Sequence, residues 1–344
     1  MLHALTAVGS GLLVKASRKK KKLDGTSQHV GTTIFVCMPV FRTPEPAAKT
    51  LADMFENSRV PSRIRVGCIY HAAISDDDII DIYKEIATTQ FIDRINVIRH
   101  EYKHAQGAQH ARLQSIKYLF NDESHILFVD CHTAFVTDWD EILLSQLQSL
   151  PPKAIITTIP PQMTEIHSVD TDQAPNFPFI QPRIYKMSST LVSKSATKKA
   201  LEPFPSPFFC ACFAFAKAAD IAILPGAAST QEGQLDVLHT ALLLDRGHAF
   251  YVPPYNVVAQ DWNSYGRPVS STSTEVKGLM VKASVNFEKL RKSVGYDFLL
   301  DEIVDDRCLH GLTQNAGERE CDTKCGASFT LQKKEIDLTL FPLL

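Results

Sequence analysis

The strongest constraint on this chain is an alternation. Between residues 34 and 150, four apolar runs of strand length (34–38, 63–70, 95–99 and 126–129) are each followed by a helical pattern. Ala47, Leu51, Met54 and Phe55 recur at helical spacing after the first run, and Leu113, Ile116, Leu119 and Phe120 after the third. Helix-start chemistry supports the pattern. Thr43 reads as an N-cap before Pro44, and Ser75 caps a start carrying Asp76, Asp77 and Asp78. Strand and helix in strict alternation predict an α/β fold on a doubly wound, mostly parallel sheet. No Gly-x-Gly-x-x-Gly and no Walker loop accompanies it, which disfavours dinucleotide oxidoreductases and P-loop enzymes.

The C-terminal half is less regular. It reads as a strand at 154–158, a proline-rich loop at 159–182, a strand at 183–187 and a buried apolar run at 208–216. A helix at 235–246 is closed by Gly247 as C-terminal cap, and a strand follows at 248–252. One more helix is expected at 281–293, before a polar tail.

The 344 residues carry a net charge of −2, which leaves no global basic field for nucleic acid. The exception is Arg18 to Lys22, readable as an anionic-surface patch, a targeting signal or a solvated tail. Residues 4–14 are mildly apolar but shorter than the roughly 20 residues a membrane span needs. Their cations follow the apolar run rather than precede it, so no transmembrane span and no secretion signal is expected. Of eight cysteines, five (37, 68, 131, 210 and 212) lie in apolar or strand-like segments, where reduced buried thiols are common. Cys308, Cys321 and Cys325 cluster with His310 in the tail, open to zinc, a disulfide or plain thiols. Thiol-rich strands without a leading signal point to a cytoplasmic protein.

Chemistry concentrates where the fourth strand ends. Ile126 to Val129 runs into Asp130, Cys131 and His132. On an extended chain Asp130 and His132 point the same way. A carboxylate beside an imidazole at a strand's carboxyl end forms half of a metal site, and ligands bind there in open α/β sheets. Trp139 reads as core, His239 as structural, and Trp262 as core or ligand platform.

Asp130-Cys131-His132-Thr133-Ala134-Phe135 with Trp139-Asp140 resembles the Asp-Ser-His…Phe…Trp-Asp signature of the GlcNAc-transferase-like glycosyltransferases, glycosyltransferase family 60. Phe41-Arg42-Thr43-Pro44-Glu45 is similar to that family's Tyr-Arg-Asp-Pro-Glu turn, and Gly107…Ala111-Arg112 to its Gly-Pro…Ala-Arg. Gly247-His248-Ala249-Phe250-Tyr251-Val252-Pro253 parallels Gly-Tyr-Asp-Phe-Tyr-x-Pro. The resemblance covers about 34 to 268 and is stronger in the first half. It implies a GT-A type nucleotide-diphospho-sugar transferase fold over 32–295, between a flexible basic arm (1–31) and a Cys-containing extension (296–344). It also implies metal-dependent, retaining transfer of GlcNAc from UDP-GlcNAc to a hydroxyproline, threonine or serine hydroxyl of a protein acceptor, with Mn²⁺ or Mg²⁺.

Asp130 and His132 then correspond to metal ligands. Arg42, Gly107, Arg112 and Asp130 fall where the donor would bind. Two departures stand out. The family's paired acids fall at Gln234-Leu235-Asp236, leaving Asp236 in the second acid's place and Glu232 as a shifted substitute for the first. The family's later metal-binding histidine is missing at 258–262, where Gln260 or Asp261 could supply an oxygen instead. A non-catalytic binding or scaffolding relative of the same fold is the alternative that this departure raises.

Overall fold

The computed structural model describes residues 29–73, 91–163, 169–172, 175–181, 190–195, 201–206, 208–222, 224, 236, 239–240, 242–244 and 246–262, without side chains at 176–181 and 190–195. The expectations for Arg18 to Lys22, the helix after Ser75, the strand at 183–187, Glu232, the helix at 281–293 and the Cys308, Cys321 and Cys325 cluster lie outside these residues.

Eight strands form the main sheet: β1 (Ile34–Phe41), β2 (Ile64–Ala72), β3 (Ile95–Glu101), β4 (His125–Val129), β6 (Ala154–Thr157), β9 (Phe204–Ser206), β10 (Phe213–Lys217) and β11 (Ala249–Val252). Their order is β3-β2-β1-β4-β10-β6-β11-β9. Strands β1, β2, β3, β4, β6 and β11 share one direction, and β9 and β10 run against them. The fold is therefore mixed α/β on a largely parallel sheet, as the alternation predicts. The order reverses at β1, between β2 on one side and β4 on the other. That reversal is the topological switch point, where open α/β sheets leave a crevice at the carboxyl ends of their strands.

Alternation along β1 builds two layers. Ile34, Val36, Met38 and Val40 pack with Leu51, Met54 and Phe55 of α1 (Pro44–Asn57) and with Trp139, Leu143 and Leu147 of α3 (Trp139–Ser149). Phe35 and Cys37 face the other side, with Ile126, Phe128 and Ala214, under Leu113 and Ile116 of α2 (Ala108–Leu119). Trp139 is fully buried and its indole N–H donates to the Met54 carbonyl at 2.9 Å, so it is core. Among the described residues no helix is long and apolar enough to cross a membrane.

Two local expectations change. Thr43 precedes α1 without capping it; its hydroxyl sits 3.4 Å from Cys131 Sγ, drawn across the switch point. The proline-rich stretch read as loop contains β7 (Asn176–Gln181), paired antiparallel with β8 (Thr190–Ser195). Pro178 sits inside β7, in a two-stranded sheet where a missing N–H can face outward. The buried run at 208–216 is strand only from Phe213, because Cys210 to Cys212 turn into it.

Helix α2 lies close on β2 because Gly67 offers no side chain there. A Cβ at that position would collide with the Ser115 hydroxyl and the Phe35 ring, and Ser115 Oγ already donates to the Gly67 carbonyl at 2.9 Å. Gly67→Ala should lower stability by about 1–3 kcal/mol, measured by denaturant unfolding. Adding Ser115→Ala, which removes the colliding hydroxyl, should recover part of that loss.

Candidate functional site

The loops leaving β1 and β4 meet at the switch point. β4 ends at Val129, and Cys131 and His132 form a turn into β5 (Thr133–Phe135). Asp130 and His132 therefore converge through a turn rather than through strand alternation. Helix α1 holds that turn. Thr50 Oγ1 accepts from the Thr133 N–H at 2.9 Å, and Asp53 Oδ2 accepts from the Phe135 N–H at 2.6 Å. Thr133 Oγ1 donates to the Asp130 carbonyl at 2.8 Å. Buried backbone donors next to the site are thus matched by fixed side chains.

The third member comes from the far end of the chain. β12 (Val258–Gln260) pairs antiparallel with β5, opposing Gln260 to Thr133. The amide Nε2 of Gln260 donates to Asp130 Oδ2 at 2.9 Å and lies 2.8 Å from His132 Nε2. Gln260 is 1% exposed, and its Oε1 is buried with no hydrogen-bond partner among the described residues. Of the pair weighed for this region, Gln260 reaches both Asp130 and His132. The neighbouring Asp261 carboxylate instead accepts from Gln162 Nε2 at 3.3 Å, while its backbone N–H donates to the His132 carbonyl at 3.0 Å.

Behind the site, Arg112 is 2% exposed. Its Nη2 is ion-paired with Asp130 Oδ1, and its Nη1 donates to Gln109 Oε1 at 3.2 Å. Gln109 Nε2 in turn lies 3.5 Å from His239 Nδ1. Arg112 therefore grips one oxygen of Asp130 and leaves the other turned toward Gln260 and His132. It acts through Asp130, and His239 is structural, packed edge-on to Phe209.

Toward β2 and β3 the wall is made of imidazoles. His71 is 4% exposed, with its ring 5.7 Å from that of His100. Burial, then the charges of His100, His110 and His104, push the His71 value down to about 4. Burial lowers His110 as well. Arg42 has a left-handed backbone (φ 52) and places its guanidinium over the Tyr102 ring at 4.8 Å. A non-glycine residue at positive φ marks a strained corner of the kind that clusters at ligand sites. Gly107 precedes α2 with φ 96, a conformation that suits glycine and keeps the helix start open. His71 carries the same signal as Asp130, a polar residue near the end of a buried strand, and was not singled out from the sequence.

On the opposite wall, Asp236 is helical and 4% exposed, and its Oδ1 accepts from the Ala211 N–H at 3.2 Å. The turn it holds carries Cys210 and Cys212. The Cys212 thiol is raised by its hydrogen bond to Cys210, by burial, and by the charges of Asp130 and Asp236. Asp236 thus belongs to the same end of the sheet as Asp130. Burial raises Cys37 and Cys68 strongly, so these are packing thiols rather than reactive ones.

Among the described residues no three His, Cys, Asp or Glu side chains converge as a cation site. An Asp carboxylate, an imidazole nitrogen and an amide do converge, with the amide's oxygen unpaired. That donor set fits a hard divalent cation.

A family model described as Glycosyltransferase (GlcNAc) matches residues 81–276. No curated protein matches the chain. Among solved structures the chain is similar to GalNAc-T7 with UDP, GalNAc and Mn²⁺, at 12% identity and a TM-score of 0.50, over 83% of this chain and 55% of that one. The chain thus spans about half the length of that protein. It is also similar to the mannosyltransferase PcManGT from Pyrobaculum calidifontis in complex with GDP-Man and Mn²⁺, at 11% identity and a TM-score of 0.46, over 85% and 84% of the two chains. At 12% identity the likeness to GalNAc-T7 is one of fold.

The buried histidines give a pH dependence. His71 and His125 are both lowered to about 4, each mainly by burial. Their unfolded values lie near ~6.5, so between the two values the unfolded chain holds more protons. The stability they contribute is present above pH ~6.5 and is lost as pH falls toward 4, up to ~3 kcal/mol each. The melting temperature should fall steeply from pH 7 to 4.5, and His71→Asn with His125→Asn should flatten that slope.

Proposed function

Since this chain belongs to the Glycosyltransferase (GlcNAc) family and has a GT-A type fold, we propose that it is a retaining, metal-dependent transferase of the family 60 kind, moving GlcNAc from UDP-GlcNAc to a hydroxyl of a protein acceptor. The observation that carries this reading is the convergence of Asp130, His132 and Gln260 at the switch point. The family model's description and the sequence resemblance support GlcNAc as the sugar, and the resemblance supports a protein as the acceptor. The Mn²⁺ in the GalNAc-T7 structure supports a divalent cation.

Asp130 Oδ2, His132 Nε2 and the Gln260 amide would hold Mn²⁺ or Mg²⁺, with Gln260 preferred to Asp261 as the third ligand. The cation, when bound, supplies charge to offset the diphosphate leaving group. Arg112 holds the Asp130 carboxylate in place through their ion pair. Arg42, stacked on Tyr102, and the open helix start at Gly107 form the nucleotide wall. Asp236 would bind an acceptor or sugar hydroxyl, with Glu232 as its companion in sequence. For a retaining transfer the leaving phosphate can accept the acceptor's proton, so no separate base is required.

We further propose 32–295 as the transferase unit, with 1–31 and 296–344 as appendages, and a reducing, cytoplasmic setting that suits the buried thiols. The second reading, a relative that binds the donor without turnover, is favoured by Gln260 standing where the family has a histidine. The two part on turnover. With Mn²⁺, the wild-type chain should release UDP from UDP-GlcNAc, and Asp130→Ala should reduce that rate by about 10²-fold or more while leaving the melting curve cooperative. Undiminished UDP release by Asp130→Ala would sink the mechanism. Donor binding without any release would select the second reading.

A further inference from the structure

Gln260 lies in the stretch 258–262, where the family resemblance would place a histidine and this chain has none. An amide nitrogen carries two hydrogens and no lone pair to offer. Here Nε2 donates to Asp130 Oδ2 at 2.9 Å and lies 2.8 Å from His132 Nε2, the two groups that would otherwise face a cation. The amide nitrogen thus stands in for the positive charge. The other amide atom, Oε1, is buried and has no hydrogen-bond partner among the described residues.

Reversing the amide about its last torsion exchanges Nε2 and Oε1 with almost no change in shape, and that torsion is soft. The reversed form places Oε1 against the Asp130 carboxylate and against the lone pair of His132 Nε2. Three acceptors facing one another repel unless a cation sits between them. Orientation and occupancy are therefore linked by electrostatics.

Both states require the same His132 tautomer, the one that accepts at Nε2. Accepting at Nε2 puts its proton on Nδ1, which lies 3.8 Å from Cys131 Sγ.

We propose that Gln260 is a two-position residue that sets cation affinity and selectivity: nitrogen inward in the metal-free protein, oxygen inward with a cation bound. This rests on the reading that Asp130 and His132 hold a divalent cation. Two consequences follow. The bound set has two oxygens and one nitrogen, which favours Mn²⁺ and Mg²⁺ over Zn²⁺ more than a set with two imidazoles does. A cation must also displace two amide hydrogen bonds, so binding is weaker than with a histidine at position 260.

The test is calorimetric titration of the full chain with Mn²⁺ alone and Zn²⁺ alone, without donor. Gln260→His should tighten Mn²⁺ by about tenfold and Zn²⁺ by considerably more, raising the Zn²⁺ to Mn²⁺ preference. Gln260→Leu should weaken Mn²⁺ by about tenfold or more. Selective ¹⁵N-glutamine labelling adds a direct readout. The side-chain amide resonance that disappears in Gln260→Leu should shift when Mg²⁺ is added to wild type. Wild-type Mn²⁺ affinity in Gln260→Leu, an unchanged Zn²⁺ to Mn²⁺ ratio in Gln260→His, or an unmoved Gln260 resonance would each overturn the two-position role while leaving the cation site standing. If Asp130→Ala binds Mn²⁺ as wild type does, or if no variant binds it, the cation reading falls and this inference with it.

Discussion

The structure turns on the ion pair between Arg112 and Asp130. Asp130 ends a strand whose preceding residues, Ile126 to Val129, are almost wholly buried, so its carboxylate sits at the mouth of an apolar core. An ionised carboxylate there needs a charged partner, and the partner must approach from the sheet side to leave the outward oxygen usable. Arg112 does this from α2, and it can reach only because that helix lies close on β2 over Gly67. The packing of one glycine thus bears on the geometry of one carboxylate. The grip on Oδ1 also fixes which oxygen faces Gln260.

The second constraint is the small sheet of β5 and β12. Its three residue pairs are few, yet they bring Gln260, 130 positions later in sequence, onto Asp130. The backbone N–H of Asp261 bonds the His132 carbonyl and extends the same contact. Thr50 and Asp53 of α1 hold the opposite edge of β5. The site is thus clamped between an early helix and a late strand, while the chain between them supplies the antiparallel β10 and the wall carrying Asp236.

Much of this is legible in the sequence. The period of Ile34, Val36 and Met38 against Phe35 and Cys37 announces a strand buried on both faces, and the four early strands and helices α1, α2 and α3 follow their apolar patterns. Asp130 is legible because a charged residue ending an apolar run is rare. The direction of β10 is not legible, because Phe213 to Ala216 are buried on both faces and carry no alternation to orient them. β7 is hidden by Pro178. The convergence of Asp130 and His132 is legible, but its cause is a turn at Cys131. Arg112 reads from sequence as a donor contact, whereas burial assigns it to Asp130. Such long-range assignments depend on which strand pairs with which, and pairing is not written in local pattern.

The central claim is that Asp130, His132 and Gln260 form one point at the switch of the sheet, where a cation and a sugar nucleotide meet. A crystal of the full chain soaked with UDP-GlcNAc and Mn²⁺ tests it most directly. The account predicts anomalous density for manganese bonded to Asp130 Oδ2, His132 Nε2 and the Gln260 amide oxygen, with the diphosphate on its open side. Donor density away from Asp130, or manganese held by other side chains, would contradict it.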